Sequence, residues 1–245
     1  MIKFEHTQVV GWEPAIRGMR NPKNSWAKSD TVYLPYEFCD TEEDLRLAQM
    51  CGGVAPIIGK EDMRLMRDLV KAGTDHRKFM RMIVVYVDIT APRYWWTEFD
   101  TYKVGTVANS CSTMHKLADK KFMLDDFSNE HLSRDGLYIL KCLIKALNDA
   151  RECYLHFDDL FAKGEIAKEI KSKKDMWWQM IQLLPQSYNQ KRTVMMNYEV
   201  LANIYKKTSR RYHKQDEWNV DCDGSFCQWI LSLPYEELIT GGQNE

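Results

Sequence analysis

Apolar residues recur at helical spacing along much of this chain. The clearest case covers residues 61–72, where Met63, Met66 and Leu69 fall on one face and Gly73 follows as a natural stop. Asp40 or Thr41, ahead of two glutamates, predicts the cap of another helix that ends near residue 51. The same reasoning predicts helices over residues 15–20, 93–103, 133–161, 175–184, 197–212 and 217–233, the last interrupted near residue 224.

One segment has the composition of a central strand. Residues 79–90 are rich in β-branched residues and apolar on both faces, which is typical of a strand inside a sheet. Pro92 then suits the first turn of the next helix. Residues 4–12 predict an opening strand, whereas residues 21–40 are mostly loop. One core strand among many helices indicates an α+β protein with a small sheet.

Length and charge limit the function classes. The chain has 245 residues, enough for one large domain or two small ones, with 44% hydrophobic and 28% charged residues. Its 34 basic and 35 acidic residues give a net charge of -1. A general coat for a nucleic-acid polymer needs a strong basic excess, so we expect no nucleic-acid polymer as partner. A small anionic ligand needs only a local basic cluster.

The cysteines and the opening residues predict a cytoplasmic location. The seven cysteines are odd in number, and residues 1–5 lack the apolar segment of a secretory signal. We therefore expect reduced thiols. No apolar run approaches the roughly 20 residues of a membrane helix, so we expect no membrane partner.

Motifs for metal or phosphate are incomplete. Cys222 and Cys227 form a C-x4-C pair with His213 upstream, but zinc sites usually need a second pair, so we expect no metal. Two small buried thiols on a helix are the favoured interpretation. The sequence also contains no P-loop, no glycine-rich dinucleotide motif and no serine elbow.

Basic residues concentrate in three places. Five cations lie within the basic segment, residues 206–214, and two further pairs occur at 191–192 and in the first helix. Arginine suits bidentate contacts to phosphate, although cations are also favoured at a solvated helix end. The candidate substrate-binding residues are Arg17, Arg20, Lys191, Arg192, Arg210 and Arg211.

A polar segment follows the aromatic helix that contains Trp95 and Trp96. Small polar side chains can hydrogen-bond a polar ligand where the backbone approaches it closely. The segment, residues 100–116, therefore predicts a ligand contact. It contains Thr106, Asn109, Ser110, Cys111, Ser112, Thr113 and His115.

This segment and its surroundings resemble the flavin-dependent thymidylate synthases (ThyX). In that family an aromatic helix follows a strand and precedes the motif R-H-R-x-x-S-x-N-E-x-S-x-R-Y. The resemblance covers most of the chain through the order of elements and a few residues. Those residues are Arg17 and Arg20 in the first helix, His76 before the strand, and Asn197, Asn203, Arg210, Arg211 and His213 downstream.

The motif itself departs from the family pattern. Aligned without a gap, R-H-R falls on Thr101-Tyr102-Lys103, so only the last cation is kept. A shift of one residue instead matches Asn109 and Ser112, and neither register restores the acid or the late arginine. In the gapless register the family's Ser, Asn-Glu, Ser and Arg-Tyr become Thr106, Ala108-Asn109, Cys111 and Thr113-Met114.

The resemblance implies a fold, a set of ligands and an assembly. It implies one ThyX-like domain over residues 1–245, in which helices flank a small antiparallel sheet, and a homotetramer. It also implies FAD as cofactor, dUMP or a similar small-molecule nucleotide as substrate, and NADPH and methylenetetrahydrofolate as co-substrates. The implied cofactor-binding residues are His76, Lys103, Asn197, Asn203 and His213, and the catalytic candidates are Asn109, Cys111 and Ser112.

Three functions are compatible with the altered motif. The first is reductive methylation, or a related modification, of a pyrimidine deoxynucleotide, in which Cys111 either adds to the ring or is an inert small residue. The second is a non-catalytic nucleotide-binding homologue, favoured by the missing arginine and glutamate. The third is a structural oligomer without a ligand. The dense polar segment favours the first function.

Overall fold

The computed structural model describes residues 2–111 and 116–241 and confirms the α+β class, a small antiparallel sheet flanked by helices. No described helix is both long and apolar enough to cross a membrane. The strands are β1 (Lys3–Val10), β2 (Val32–Pro35), β3 (Val54–Ile57), β4 (Val84–Pro92), β5 (Thr106–Ser110) and β6 (Asn189–Asn197). The helices are α1 (Trp12–Arg20), α2 (Glu42–Met50), α3 (Lys60–Lys71), α4 (Arg93–Phe99), α5 (Arg134–Leu155), α6 (Phe157–Ala162), α7 (Lys173–Leu183), α8 (Tyr198–Tyr205), α9 (Phe226–Leu231) and α10 (Glu237–Thr240).

The strands form a four-stranded sheet in the order β1-β4-β6-β5 and a separate antiparallel pair, β2-β3. The interior position of β4 confirms the prediction of a central strand. Val85, Val87 and Ile89 alternate as buried residues along it, because every second side chain of a strand lies on the same face. In contrast, β5 is an edge strand whose residues are mostly exposed.

Contacts divide the chain into two compact units. The helical unit comprises residues 90–99 and 110–191, and the sheet unit comprises residues 2–89, 100–109 and 192–241. In the helical unit, Leu140 and Leu147 of α5 share a core with Met180 of α7. In the sheet unit, α8 is buried along most of its length, including Tyr198, which makes an edge contact with Trp12.

Side-chain caps explain where several helices begin. Thr41 accepts a hydrogen bond from the backbone N–H of Asp44 at 3.0 Å, which confirms the predicted cap of α2. Ser133 and Ser172 cap α5 and α7 in the same way. Each cap satisfies a first-turn N–H that has no partner inside its helix.

The prediction of a single core strand is wrong. Residues 32–35 lie in the predicted loop but pair with residues 54–57, and β5 and β6 were also missed. The strand β2 is short, β5 is largely exposed, and β6 begins with five polar residues, so none has the continuous apolar signal of β4. Residues 78–81 form a 3-10 turn before β4, and Pro92 ends β4 where it was expected to open a helix.

Several helices are shorter than predicted. The helix expected to reach residue 103 ends at Phe99, and the one expected over 197–212 ends at Tyr205. Beyond Tyr205 the N–H of Ser209 bonds to the Lys206 carbonyl at 2.8 Å, so a turn replaces the helical ladder. His156 interrupts the long helix between α5 and α6. Within residues 217–233, only 226–231 are an α-helix.

Candidate functional site

In the sheet unit, the 100–105 loop between α4 and β5 brings predicted binding residues together. Arg192, on β6, places Nη1 2.8 Å from Oδ1 of Asp100 at the start of the loop. Arg210, in the basic segment, donates its Nε–H to the Tyr102 hydroxyl oxygen at 3.2 Å. Two cations that lie 18 residues apart in sequence therefore meet the same short loop.

The end of this loop packs closely on the start of α8. Gly105 has φ +78, and a Cβ built on it would lie 2.9 Å from Asn197 Nδ2 and 3.1 Å from Val200 Cγ2. Glycine is therefore required both by the left-handed backbone and by the close approach. Asn197 also accepts a hydrogen bond at Oδ1 from the Val200 N–H at 3.0 Å, which caps α8. Lys103, in the same loop, is exposed.

Arg210 lies among aromatic groups. Its guanidinium carbon is 5.8 Å from the ring centroid of Tyr102 and 5.5 Å from that of Trp218, within the range of cation–π attraction. Trp218 is fully buried, so this contact lies against the core of the sheet unit. The Tyr102 hydroxyl also lies 2.9 Å from Ser209 Oγ. Arg210 is thus held by a phenol and by ring faces.

Arg211 contacts a different aromatic pair. Its guanidinium carbon lies 5.0 Å from the ring of Tyr205 and 5.3 Å from that of Tyr212. Burial raises the pKa of Tyr205, and the positive charge of Arg211 opposes that rise. Burial also raises the pKa of the Cys227 thiol to about 12, so this cysteine is a protonated thiol at neutral pH.

The two arginines of α1 differ in their surroundings. Arg20 is 4% exposed and donates from Nε to Oδ1 of Asp62 at 2.6 Å, which ties α1 to α3. Arg17 is exposed and forms an i,i+4 pair with Glu13 at 3.0 Å. Arg17 is therefore the arginine of this helix that presents its charge to solvent.

Asp62 has several donors besides Arg20. Its Oδ2 accepts hydrogen bonds from Ser29 Oγ and from Thr31 Oγ1, each at 2.7 Å. Burial alone raises the pKa of Asp62, but hydrogen bonds from Thr31, Ser29 and Arg20 outweigh it, and the pKa is lowered.

The remaining predicted cofactor residues are spread over the sheet unit. His76 is exposed in the turn after α3, where its backbone N–H donates to the Gly73 carbonyl at 3.0 Å. Asn203, on α8, accepts a hydrogen bond from Lys206 Nζ at 2.7 Å. His213 lies in the basic segment, and its Nδ1 accepts from the backbone N–H of Gln215 at 3.2 Å.

The predicted catalytic residues lie on or after β5. Asn109 is exposed on that edge strand. Cys111 is exposed in the helical unit, where its N–H donates to the Lys191 carbonyl at 3.0 Å and its carbonyl accepts from Gln190 Nε2 at 3.1 Å. Ser112 lies outside the described residues. Residues 2–111 and 116–241 contain no cluster of three His, Cys, Asp or Glu side chains that could hold a metal.

Sequence reasoning missed Asp100, Tyr102 and Trp218. Tyr102 falls on the histidine of R-H-R in the gapless register. The motif gives its position but does not indicate that Arg210 is its partner. Arg210 lies 108 residues further along the chain, and local patterns carry no information on such a contact. Trp218 is one of eight tryptophans, and no motif distinguishes it from the others.

The order of strands and helices around this site defines a ThyX-like fold, that of the flavin-dependent thymidylate synthases. Two solved structures of ThyX from Helicobacter pylori, both with FAD and dUMP, match this chain with TM-scores of 0.53 and 0.50. Each is 14% identical in sequence and covers 97% of this chain, which in turn covers 95% of that chain. This likeness describes the fold alone. No known family profile and no curated protein matches the sequence.

Proposed function

We propose that this chain binds FAD and a pyrimidine deoxynucleotide such as dUMP, and reductively methylates or otherwise modifies the base. The observation that carries this proposal is the 100–105 loop, which gathers Arg192, Asn197 and Arg210 within a ThyX-like fold. Both ligands bear phosphate groups, and guanidinium groups are suited to bind phosphate in pairs of parallel hydrogen bonds.

The donor set around the loop fits two anionic ligands. Lys103, Arg192 and Arg210 supply positive charge at the loop, and Asn197 adds an amide. Arg211, elsewhere in the basic segment, adds a further positive charge to the proposed set. Bound FAD supplies the reducing hydride, with NADPH and methylenetetrahydrofolate as co-substrates. The chain's own residues bind and orient the two ligands. In the same proposal Arg17 and Lys191 complete the substrate set, and His76, Asn203 and His213 complete the cofactor set. Arg20 was predicted to bind substrate, but it is buried and paired with Asp62, so the proposal leaves it out.

The polar segment supplies the chemistry in this proposal. Asn109 and Ser112 hydrogen-bond the pyrimidine, and Cys111 is the candidate nucleophile toward the ring. Cys111 is exposed, as a nucleophile that meets a soluble nucleotide must be. Cys111→Ser should therefore abolish turnover, and full activity in this variant would remove the nucleophile from the mechanism.

A non-catalytic nucleotide-binding protein is the second candidate. In the gapless register Asn109 stands where the family has glutamate, and Thr113 where it has the late arginine. An amide cannot act as the general base that a carboxylate provides. This candidate predicts nucleotide binding through the same cations, without turnover.

An absorption spectrum with and without added FAD, followed by dUMP titration, is the first test. We expect a bound flavin whose spectrum responds to dUMP, and thymidylate formation when NADPH and methylenetetrahydrofolate are added. Arg210→Ala should weaken the response, whereas Arg64→Ala, an exposed arginine paired with Glu61 on α3, serves as the matched control. A response without product selects the non-catalytic candidate, and no flavin or dUMP binding rejects both.

The proposal also includes an assembly and a location. We propose one domain over the whole chain, a homotetramer with shared sites, and a cytoplasmic location. Light scattering on the purified chain tests the assembly, since a mass of four chains is expected and a monomer would contradict it.

A further inference from the structure

We propose that Tyr102 is a positioning residue that orients Arg210 toward a phosphate of the bound nucleotide. This inference rests on the proposed function and adds a residue to its binding set. The contact that carries it is the hydrogen bond from Arg210 Nε to the Tyr102 hydroxyl oxygen, at 3.2 Å. Tyr102 itself acts through Arg210 and does not contact the phosphate.

The Tyr102 hydroxyl makes two hydrogen bonds. A phenol has one O–H to donate and lone pairs to accept with. Its oxygen accepts from Arg210, and either this hydroxyl or that of Ser209 donates in the 2.9 Å contact between them. The three groups then form a chain from guanidinium to phenol to serine, in which each hydrogen bond polarises the next.

This contact fixes more than one atom of Arg210. A guanidinium is planar, so fixing the Nε–H direction also fixes the edge that carries the two terminal amino groups. The rings of Tyr102 and Trp218, 5.8 Å and 5.5 Å from the guanidinium carbon, limit rotation of that plane. A side chain oriented before binding loses less conformational entropy when a ligand binds.

The backbone on both sides of the contact is also held. Asp100 pairs with Arg192, and Gly105 packs against Asn197, so both ends of the 100–105 loop are anchored. On the other side, the backbone N–H of Arg210 donates to the Ile204 carbonyl at 3.0 Å. The hydroxyl of Tyr102 therefore joins two ordered segments, and its removal changes the direction of Arg210 without removing a charge.

The test compares binding of dUMP with binding of deoxyuridine, which lacks the phosphate, by calorimetry on the full chain in the presence of FAD. In Tyr102→Phe the guanidinium loses its acceptor, and we expect dUMP to bind about tenfold more weakly. This factor corresponds to about 1.4 kcal/mol. Deoxyuridine should bind unchanged. The matched control is Tyr36→Phe, the same chemical change at a tyrosine that is 44% exposed, where neither ligand should be affected.

A double-mutant cycle gives a readout that a merely structural role would not produce. Arg210→Lys has no Nε–H to donate to Tyr102, so adding Tyr102→Phe to it should weaken dUMP binding less than about twofold. If Tyr102→Phe does not fold, Ser209→Ala replaces it. That variant keeps the contact between Tyr102 and Arg210 but removes the second partner of the phenol. We expect the affinity for dUMP alone to fall about threefold, which is less than the effect of losing one full hydrogen bond.

The outcomes separate this inference from the proposed function. If wild-type protein and Tyr102→Phe bind dUMP with equal affinity, the role of Tyr102 is overturned and the proposed function is unaffected. Equal losses for dUMP and deoxyuridine also overturn it, because they indicate general damage to the site. Wild-type protein that binds no dUMP overturns both.

Discussion

Two arginines of the sheet unit illustrate two ways of holding a guanidinium. Arg20 is 4% exposed and donates to the carboxylate of Asp62 at 2.6 Å. Arg210 is partly exposed and donates from the same atom, Nε, to the phenol of Tyr102 at 3.2 Å. A carboxylate places a negative charge beside the guanidinium, whereas a phenol is a neutral acceptor that orients the Nε–H.

Under the proposed function, this difference separates a structural arginine from a ligand-binding one. The Arg20–Asp62 pair is buried, so removing one partner leaves a buried charge without its counter-ion. It also positions residues 29–31, because Asp62 accepts hydrogen bonds from both Ser29 and Thr31. Arg210 is partly exposed, so under the proposed function a phosphate can approach its guanidinium. Four substitutions and one pH series test this comparison, from the largest expected change in unfolding free energy to the smallest.

Asp62→Asn should have the largest effect. It leaves the Arg20 charge buried without its carboxylate, and we expect the free energy of unfolding to fall by about 3–5 kcal/mol. Urea denaturation followed by circular dichroism measures the loss. Asp68→Asn, an exposed acid on the same helix, is the control and should change stability by less than about 0.5 kcal/mol. Equal effects of the two substitutions would contradict a structural role for the buried pair.

The same pair predicts a pH dependence. The pKa of Asp62 is lowered in the folded state, so the stability it contributes is fully present above the unfolded value of about 3.9. That contribution is lost as the pH falls through the lower folded pKa. The stability difference between wild type and Asp62→Asn should therefore be constant near neutral pH and shrink in acid. A difference that grows in acid would mean that the pKa is shifted the other way.

Gly105→Ala tests how closely the 100–105 loop packs. The residue has φ +78, and its new Cβ would lie 2.9 Å from Asn197 Nδ2, so we expect a loss of about 2 kcal/mol in unfolding free energy. Gly53→Ala is the matched control, because Gly53 has φ +95 but open space around its Cβ position. The difference between the two variants isolates the contact with Asn197. Equal losses would show that backbone strain alone explains the effect.

Arg210→Ala should separate stability from binding. Its ring contacts and its bond to Tyr102 are partly exposed, so we expect a loss of only about 1 kcal/mol in unfolding free energy. Binding of dUMP should weaken by at least about tenfold under the proposed function. Chemical denaturation and calorimetry on one preparation measure both. A large loss of stability with unchanged dUMP binding would show that Arg210, like Arg20, has a structural role.

Arg17→Ala should have the smallest effect on stability. The pair with Glu13 is exposed at both ends, and exposed pairs contribute about 0.5 kcal/mol or less. Thermal unfolding measures this change. A larger loss would show that Arg17 packs against the fold in solution.

Signals confined to a few neighbouring residues predicted part of the fold correctly. The cap at Thr41, the apolar face of α3 and the composition of β4 each correspond to an observed element. The strands β2 and β5 were missed because their residues are largely exposed and their partners lie elsewhere in the chain. The end of α8 was also missed, since helix-forming residues continue past Tyr205.

The candidate site was predicted as residue types but not as an arrangement. The basic segment identified Arg210 and Arg211 as candidates for an anion site. The contact that orients Arg210 comes from Tyr102, 108 residues away, whereas Arg211 lies on the nearby Tyr205 and Tyr212. Arg20 shows the same limit, since its partner Asp62 lies 42 residues away.

The sequence by itself determined the α+β class, the central strand and the cap of α2, because apolar periodicity and side-chain caps act over a few residues. The net charge of -1 left a small anionic ligand possible, since such a ligand needs only a local basic cluster. Only the tertiary structure decided that Arg20 is buried against a carboxylate while Arg210 is directed by Tyr102. The physical reason is that burial and hydrogen-bond partners depend on packing between segments 42 and 108 residues apart.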